Sequence, residues 1–181
     1  MVAKTDYAAN GGRYSPAVGN PVGWSIGPPL SCLDTYPDCD FGDYTRRNVE
    51  SYFDGVVVPR FPVKIRQITD GTSQTIMVAE KFLRPDFYDS GFKKVNTCSD
   101  NDSLYQGYDW DVVRWTNRDP RYLPKKDSSA NDACSVRFGS AHEAFHAVYC
   151  DGHVVSIAYS IDPLVWEALG TRDRQDVANK N

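Results

Sequence analysis

The only three histidines of the chain, His142, His146 and His153, fall within twelve residues. Imidazoles so close in sequence invite a metal site, because a neutral ring nitrogen is a good zinc ligand. The local pattern argues against it. Asp151-Gly152 lies between two apolar runs and predicts a two-residue hairpin loop, which sets Cys150 opposite His153 and His146 opposite Ile157. His146 and His153 then share a face but stand about 13 Å apart, four residues at roughly 3.3 Å each. Zinc–nitrogen bonds of about 2 Å cannot close that gap. His142 precedes the strand and could meet His146 across a bulge, so these two remain the metal candidates. Its expected role is to fix a loop by hydrogen bonds to backbone.

A second pattern is Gly23-Trp24-Ser25-Ile26-Gly27, a match to the serine-hydrolase elbow. That chemistry needs a strand before the serine and a helix after it. Asn20-Pro21-Val22 is a poor strand and Pro28-Pro29 blocks a helix, so Ser25 with His142 as base is the route by which a hydrolase reading survives. Asp100 and Asp102, with Asp109 and Asp111 nearby, offer oxygen ligands for Ca²⁺. Leu104 breaks the EF-hand pattern at its fifth position, and a solvated acidic loop is the competing reading. Tyr108, Trp110 and Trp115 could form an aromatic platform for polysaccharide or a partner protein, against core packing as the plain alternative.

Composition narrows the classes. The net charge of −4 and pI near 5.3 argue against a nucleic-acid partner, which calls for a basic face. No run approaches the roughly 20 apolar residues of a membrane span, and the first ten residues lack the apolar core of a cleavable signal. Of five cysteines, Cys32 and Cys39 could close one loop and Cys98 and Cys134 another, which suits an oxidising compartment. Cys150 would remain a buried thiol in the hairpin strand.

The elements that must position these groups are written unevenly. Residues 1–48 are punctuated by glycine and proline and read as loop. A short strand is expected at 56–58, and one helical turn at Ile65 and Ile68. Residues 75–80 read as a buried strand with Ile76 and Val78 on one face and Met77 and Ala79 on the other. Residues 84–134 form a long loop-rich insertion in which 108–115 alternates like a strand. The clearest stretch is 136–170: a hairpin, then Asp162-Pro163 as N-cap and first helical residue. Leu164, Val165, Trp166 and Leu169 form an apolar stripe, and Gly170 supplies the stop. The expected fold is one α+β domain over 1–181, an antiparallel sheet with short helices and long loops.

The block FGSAHEAFHAVYCDGHVVSIAYSIDPLVWEALG, followed by Thr171-Arg172, resembles the C-terminal signature of a large, mostly planctomycete family of unknown function. The resemblance continues in Thr5-Asp6-Tyr7-Ala8-Ala9-Asn10-Gly11-Gly12, in 68–75 and in Gly107-Tyr108-Asp109-Trp110-Asp111. Two features depart from it: eight residues rather than nine separate His142 from Asp151, and His146 stands where the family has Asn. Members open with a prepilin-type cleavage and methylation signal. The resemblance therefore implies a pilin- or pseudopilin-like head of the cell envelope or extracellular space, Met1 preceding an internal sequence, and other pilin-like subunits or envelope proteins as partners. It adds some weight to Ca²⁺, which certain pseudopilins bind in a loop. It implies structural motif roles for His142, Asp151, Gly152, Asp162, Pro163 and Trp166. If the covering N-terminal helix is absent, one sheet face should expose an apolar patch. A secreted polysaccharide-binding module and a small hydrolase or metal-dependent enzyme are the alternatives.

Overall fold

The computed structural model describes residues 3–13, 53–58, 62–88, 100, 103–105, 107–129 and 136–175. Among the described residues the strands are β1 Tyr7–Asn10, β2 Ile76–Glu80, β3 Val113–Arg114, β4 Lys125–Lys126, β5 Gly139–Ser140, β6 Ala144–Tyr149 and β7 Val154–Ala158. The α-helix described, α1 Pro163–Gly170, follows them, with 3-10 turns at Ile65–Gln67 and Pro85–Phe87. The main sheet runs β3-β1-β2-β6-β7, and β4 pairs with β5 in a second small sheet. This is the expected α+β class. The sheet is mixed rather than wholly antiparallel, because β3 joins β1 in parallel, as β4 joins β5. A parallel neighbour needs a long crossover, and about a hundred residues separate β1 from β3; no local signal announces such a pairing.

The hairpin forms, with a different loop. Val148 pairs with Val154 and His146 with Ser156, while Gly152 N donates to Tyr149 O at 2.9 Å. Gly152 alone in the loop has positive φ, +93°. This is the three-residue loop 150–152, a β-turn closed by a left-handed glycine, rather than the two-residue form that needs positive φ at both central positions. Cys150 therefore sits in the turn, not in the strand, and is half-buried.

On β2 the expected alternation breaks. Ile76 pairs with Tyr149 and Val78 with Val148, so Met77 is an extra residue. This bulge sends both Ile76 and Ala79 into the core, at 0% and 1% exposure, and leaves Met77 39% exposed. The predicted strand at 56–58 is reduced to a bridge at Val58, and most of the alternating piece 108–115 is turn before β3.

Helix α1 starts as its sequence demands. Asp162 Oδ1 accepts from Leu164 N at 2.8 Å and Val165 N at 3.3 Å, and Pro163 takes the first helical position, where no N–H is needed. Trp166 is fully buried. Its ring meets Phe138 and Phe145 edge-on at 5.6 and 5.7 Å, and its indole N–H donates to Tyr122 O at 3.0 Å. Truncating such a side chain costs about 3–5 kcal/mol. Leu164, by contrast, is 61% exposed and outside the stripe. Gly170 is the last helical residue, its φ is not positive, and Thr171 is the C-cap. Glycine is required there for a different reason: a Cβ would lie 1.7 Å from Thr116 Oγ1.

Candidate functional site

The resembling motifs converge on a polar clasp at one end of the sheet. Asn10, fully buried, donates through Nδ2 to Ile76 O and to Gly170 O, both at 2.8 Å, and accepts from Gly12 N. Asp54 accepts from Arg13 N at 2.9 Å and from Arg174 Nε at 3.1 Å, and forms an ion pair with the Arg13 guanidinium, Nε to Oδ2 3.0 Å. Burial pushes the Asp54 carboxyl above its ordinary value, against the pull of Arg13 and Arg174. Asp70 accepts from Arg174 N and Gln175 N at 3.0 and 2.7 Å. The Arg172 guanidinium, buried, donates to Phe53 O and Gly55 O. Four stretches distant in sequence are thus tied at one place. Asn10, Asp54, Asp70 and Arg172 are buried, and each is hydrogen-bonded to the backbone of another stretch, the arrangement of a fastening.

At the other end of β1 and β2 lies a polar cleft of about 350 Å³, lined by Lys4, Asp6, Glu80, Lys81, Tyr88, Asp100, Asp127, Ser140 and His142 among others. The chain end of β2 brings in Glu80 and Lys81, and the β5–β6 turn brings in Ser140 and His142. Lys81, 2% exposed, donates to Asp100 Oδ1 and Asp111 O, both at 2.9 Å. Burial, then neighbouring Arg114, lowers its affinity for the proton. Asp127 accepts from Leu83 N at 2.9 Å and Tyr88 OH at 2.5 Å. Burial raises the Asp127 carboxyl, and burial followed by this bond raises the Tyr88 phenol. Ser140 Oγ accepts from the backbone N of His142 at 3.0 Å.

The histidines are not gathered. His142 is exposed at the cleft rim, and the Tyr159 hydroxyl donates to its carbonyl at 3.2 Å. His146 stands beside Glu80, Nδ1 to Oε2 3.3 Å. His153 is at the hairpin tip, bonded to Asp151 at 2.5 Å and stacked on Tyr149 at 4.5 Å. Among the described residues, no group of three or more His, Cys, Asp or Glu could hold a metal ion.

The other candidates have structural surroundings. Asp100 is engaged by the ammonium groups of Lys81 and Lys4, Asp111 is buried, and Asp109 Oδ1 accepts from Asp111 N. Trp115 is fully buried, which removes it from any surface platform. Core packing won there: the ring sits in a buried cluster with Val113, Tyr122 and Val136. Tyr108 is half-buried, edge-on to Phe53 at 5.7 Å, and Trp110 packs against the same cluster. Ser25, Asp102, Cys32, Cys39, Cys98 and Cys134 lie outside the described residues.

A third feature is the sheet face turned away from α1. Ala9, Val78, Val148 and Val154 are direct neighbours across β1, β2, β6 and β7 and form an apolar row on that face. Val154 is 60% exposed, and Ala9, Val78 and Val148 are half-buried. The row runs into an apolar groove of about 500 Å³ lined by Val57, Leu104, Tyr108 and Val112. The period-2 spacing of Val148 and of Val154 is visible in the sequence; their alignment with Ala9 is not.

These features define an α+β fold with a buried polar clasp, a charged cleft and, among the described residues, a sheet face that is only partly covered. The chain matches the model of a family described as protein of unknown function (DUF1559) over residues 33–164, and it belongs to that family. No curated protein and no solved structure matches it. Among the described residues, no helix is long and apolar enough to cross a membrane.

Proposed function

We propose that this chain is the head of a pilin- or pseudopilin-like structural or assembly protein of the cell envelope or extracellular space. The single observation that carries the reading is the apolar row Ala9–Val78–Val148–Val154 on the face turned away from α1, with Val154 60% exposed and the other three half-buried. A sheet buries an apolar face when something packs on it. On this reading an apolar helix, from the precursor of this chain or from a neighbouring subunit, lies along the row. The resemblance of the C-terminal block to a prepilin-signal family supports the same assignment. Polysaccharide binding through Tyr108, Trp110 and Trp115 is less well supported, since the Trp115 ring is enclosed.

Fractionation of native cells with an antibody to this chain tests the proposal. The expected result is recovery in the envelope or extracellular fraction, with a peptide map that reaches an N-methylated apolar segment. Recovery from the cytoplasm alone would sink it.

A further inference from the structure

Among the described residues Lys81 is the one buried lysine, its side chain 1% exposed. Nζ lies 2.9 Å from Asp100 Oδ1 and donates to Asp111 O at 2.9 Å, so the amine is fixed in direction as well as in distance. The Asp111 side chain is buried too, and its charge acts on the same ammonium. Burial, then the Arg114 guanidinium, works against the proton on Nζ. Lys4 also reaches Asp100, 3.4 Å from Oδ2, but its side chain is 27% exposed and stays hydrated.

Taking an ion pair out of water costs several kcal/mol per ion, and the desolvation can exceed the attraction between the charges. One reaction removes both charges at once. An amine and a carboxyl held in contact react as an intramolecular pair, and such positioning is worth about 7–11 kcal/mol of the barrier.

We propose that Lys81 and Asp100 condense to an isopeptide, an amide from Nζ to Cγ that ties the end of β2 to position 100. The ammonium first gives a proton to Asp100 Oδ1, leaving a neutral amine against a neutral carboxylic acid. Nζ then attacks Cγ, and the C–N bond forms. A second nitrogen proton passes through the Asp111 carboxylate to the hydroxyl oxygen on Cγ, the C–O bond breaks and one water leaves. One ammonium and one carboxylate become one amide and one water, with no oxidant, reductant or cofactor. Lys4 and Arg114 oppose the first proton transfer, because both favour the ionised carboxylate. The condensation is therefore a slow maturation that follows folding. The inference does not depend on the envelope assignment, and either can fail alone.

Intact mass spectrometry of the reduced full chain, sampled over days after purification, tests it. The wild type should become lighter by the mass of one water, and digestion should yield a branched peptide joining the segments around Lys81 and Asp100. Lys81→Arg keeps the charge without the primary amine and should hold its full mass, as should Asp100→Ala. Asp111→Asn should slow the loss about a hundredfold, the lower end for a positioned proton-transfer group. Circular dichroism checks that the variants fold; should Lys81→Arg not fold, Asp100→Ala decides. A succinimide at Asp151-Gly152 would also cost one water, but it would persist in both variants. A folded wild type that keeps its full mass, or a water loss that survives in Lys81→Arg and Asp100→Ala, would overturn the proposal; wild-type speed in Asp111→Asn would overturn the relay.

Discussion

Gly12 and Gly55 occupy each other's missing side-chain space. A Cβ on Gly12 would lie 2.3 Å from Gly55 N, and a Cβ on Gly55 would lie 2.2 Å from Gly12 N. This contact lets the loop at 53–55 approach β1 closely enough for Val57 N to donate to Asn10 O at 3.1 Å. Both obstacles are backbone, so neither can swing aside.

Gly55→Ala is therefore expected to destabilise the chain by at least about 3 kcal/mol, at the upper end for overpacking. Gly12→Ala should be as damaging, with added strain because Gly12 has φ of +84°. Urea unfolding measures both. A loss under about 1 kcal/mol, the range of ordinary substitutions, would show that the loop can withdraw.

Asn10→Ala removes the donors to Ile76 O and Gly170 O. Two buried carbonyls left without partners should cost about 2–5 kcal/mol in all. Hydrogen exchange should show the C-terminal turn of α1 opening first, since Gly170 loses its link to β1. Uniform loss of protection throughout the sheet would point to a different role.

How much of this is legible in the sequence depends on range. The Asp162-Pro163 cap, the turn at Ile65, the hairpin and the burial of Trp166 follow from residues that act on their near neighbours. Gly170 reads correctly as a required glycine and wrongly as a stop, because its actual constraint, Thr116, lies 54 positions away. Asn10 and Arg172 carry no local signal that they will bind carbonyls of distant loops. The Met77 bulge is hidden too, since it is decided by β6 rather than by β2. Of the candidate site, the sequence points to His142, but not to the companions that give it a cleft, Asp6, Tyr88 and Asp127.

The Asp54 carboxyl, raised above 3.8 chiefly by burial, binds its proton more tightly in the fold than in the unfolded chain. Its contribution to stability is greatest at low pH and falls as pH rises from 3.8 through the raised folded value. The amide introduced by Asp54→Asn does not titrate, so the stability of wild type minus that of the variant should decline across this window. Urea midpoints at several pH values between about 3.5 and 7 check the sign, the range in which carboxylates titrate. A difference that grows with pH would mean that the arginine pairs outweigh burial.

The Cys150 thiol is pushed up to about 11, first by burial and then by the neighbouring Asp151. Since the thiolate is the reacting form, about one in a thousand is reactive at pH 8. Alkylation of Cys150, followed by peptide mass spectrometry, should be on the order of a hundredfold slower than for an open thiol. Asp151→Asn should speed it modestly. Labelling as fast as for an unstructured peptide would contradict the half-buried setting.

The bond from Asn10 to Gly170 spans 160 positions, and β1 is held on both sides by strands that follow much later in the chain. Long-range closure of this kind slows folding. At synthesis rates of about 5–20 residues per second, the first strand waits roughly ten to thirty seconds before its last acceptor exists. The nascent chain consequently cannot close this clasp until the Pro163–Gly170 helix has been made.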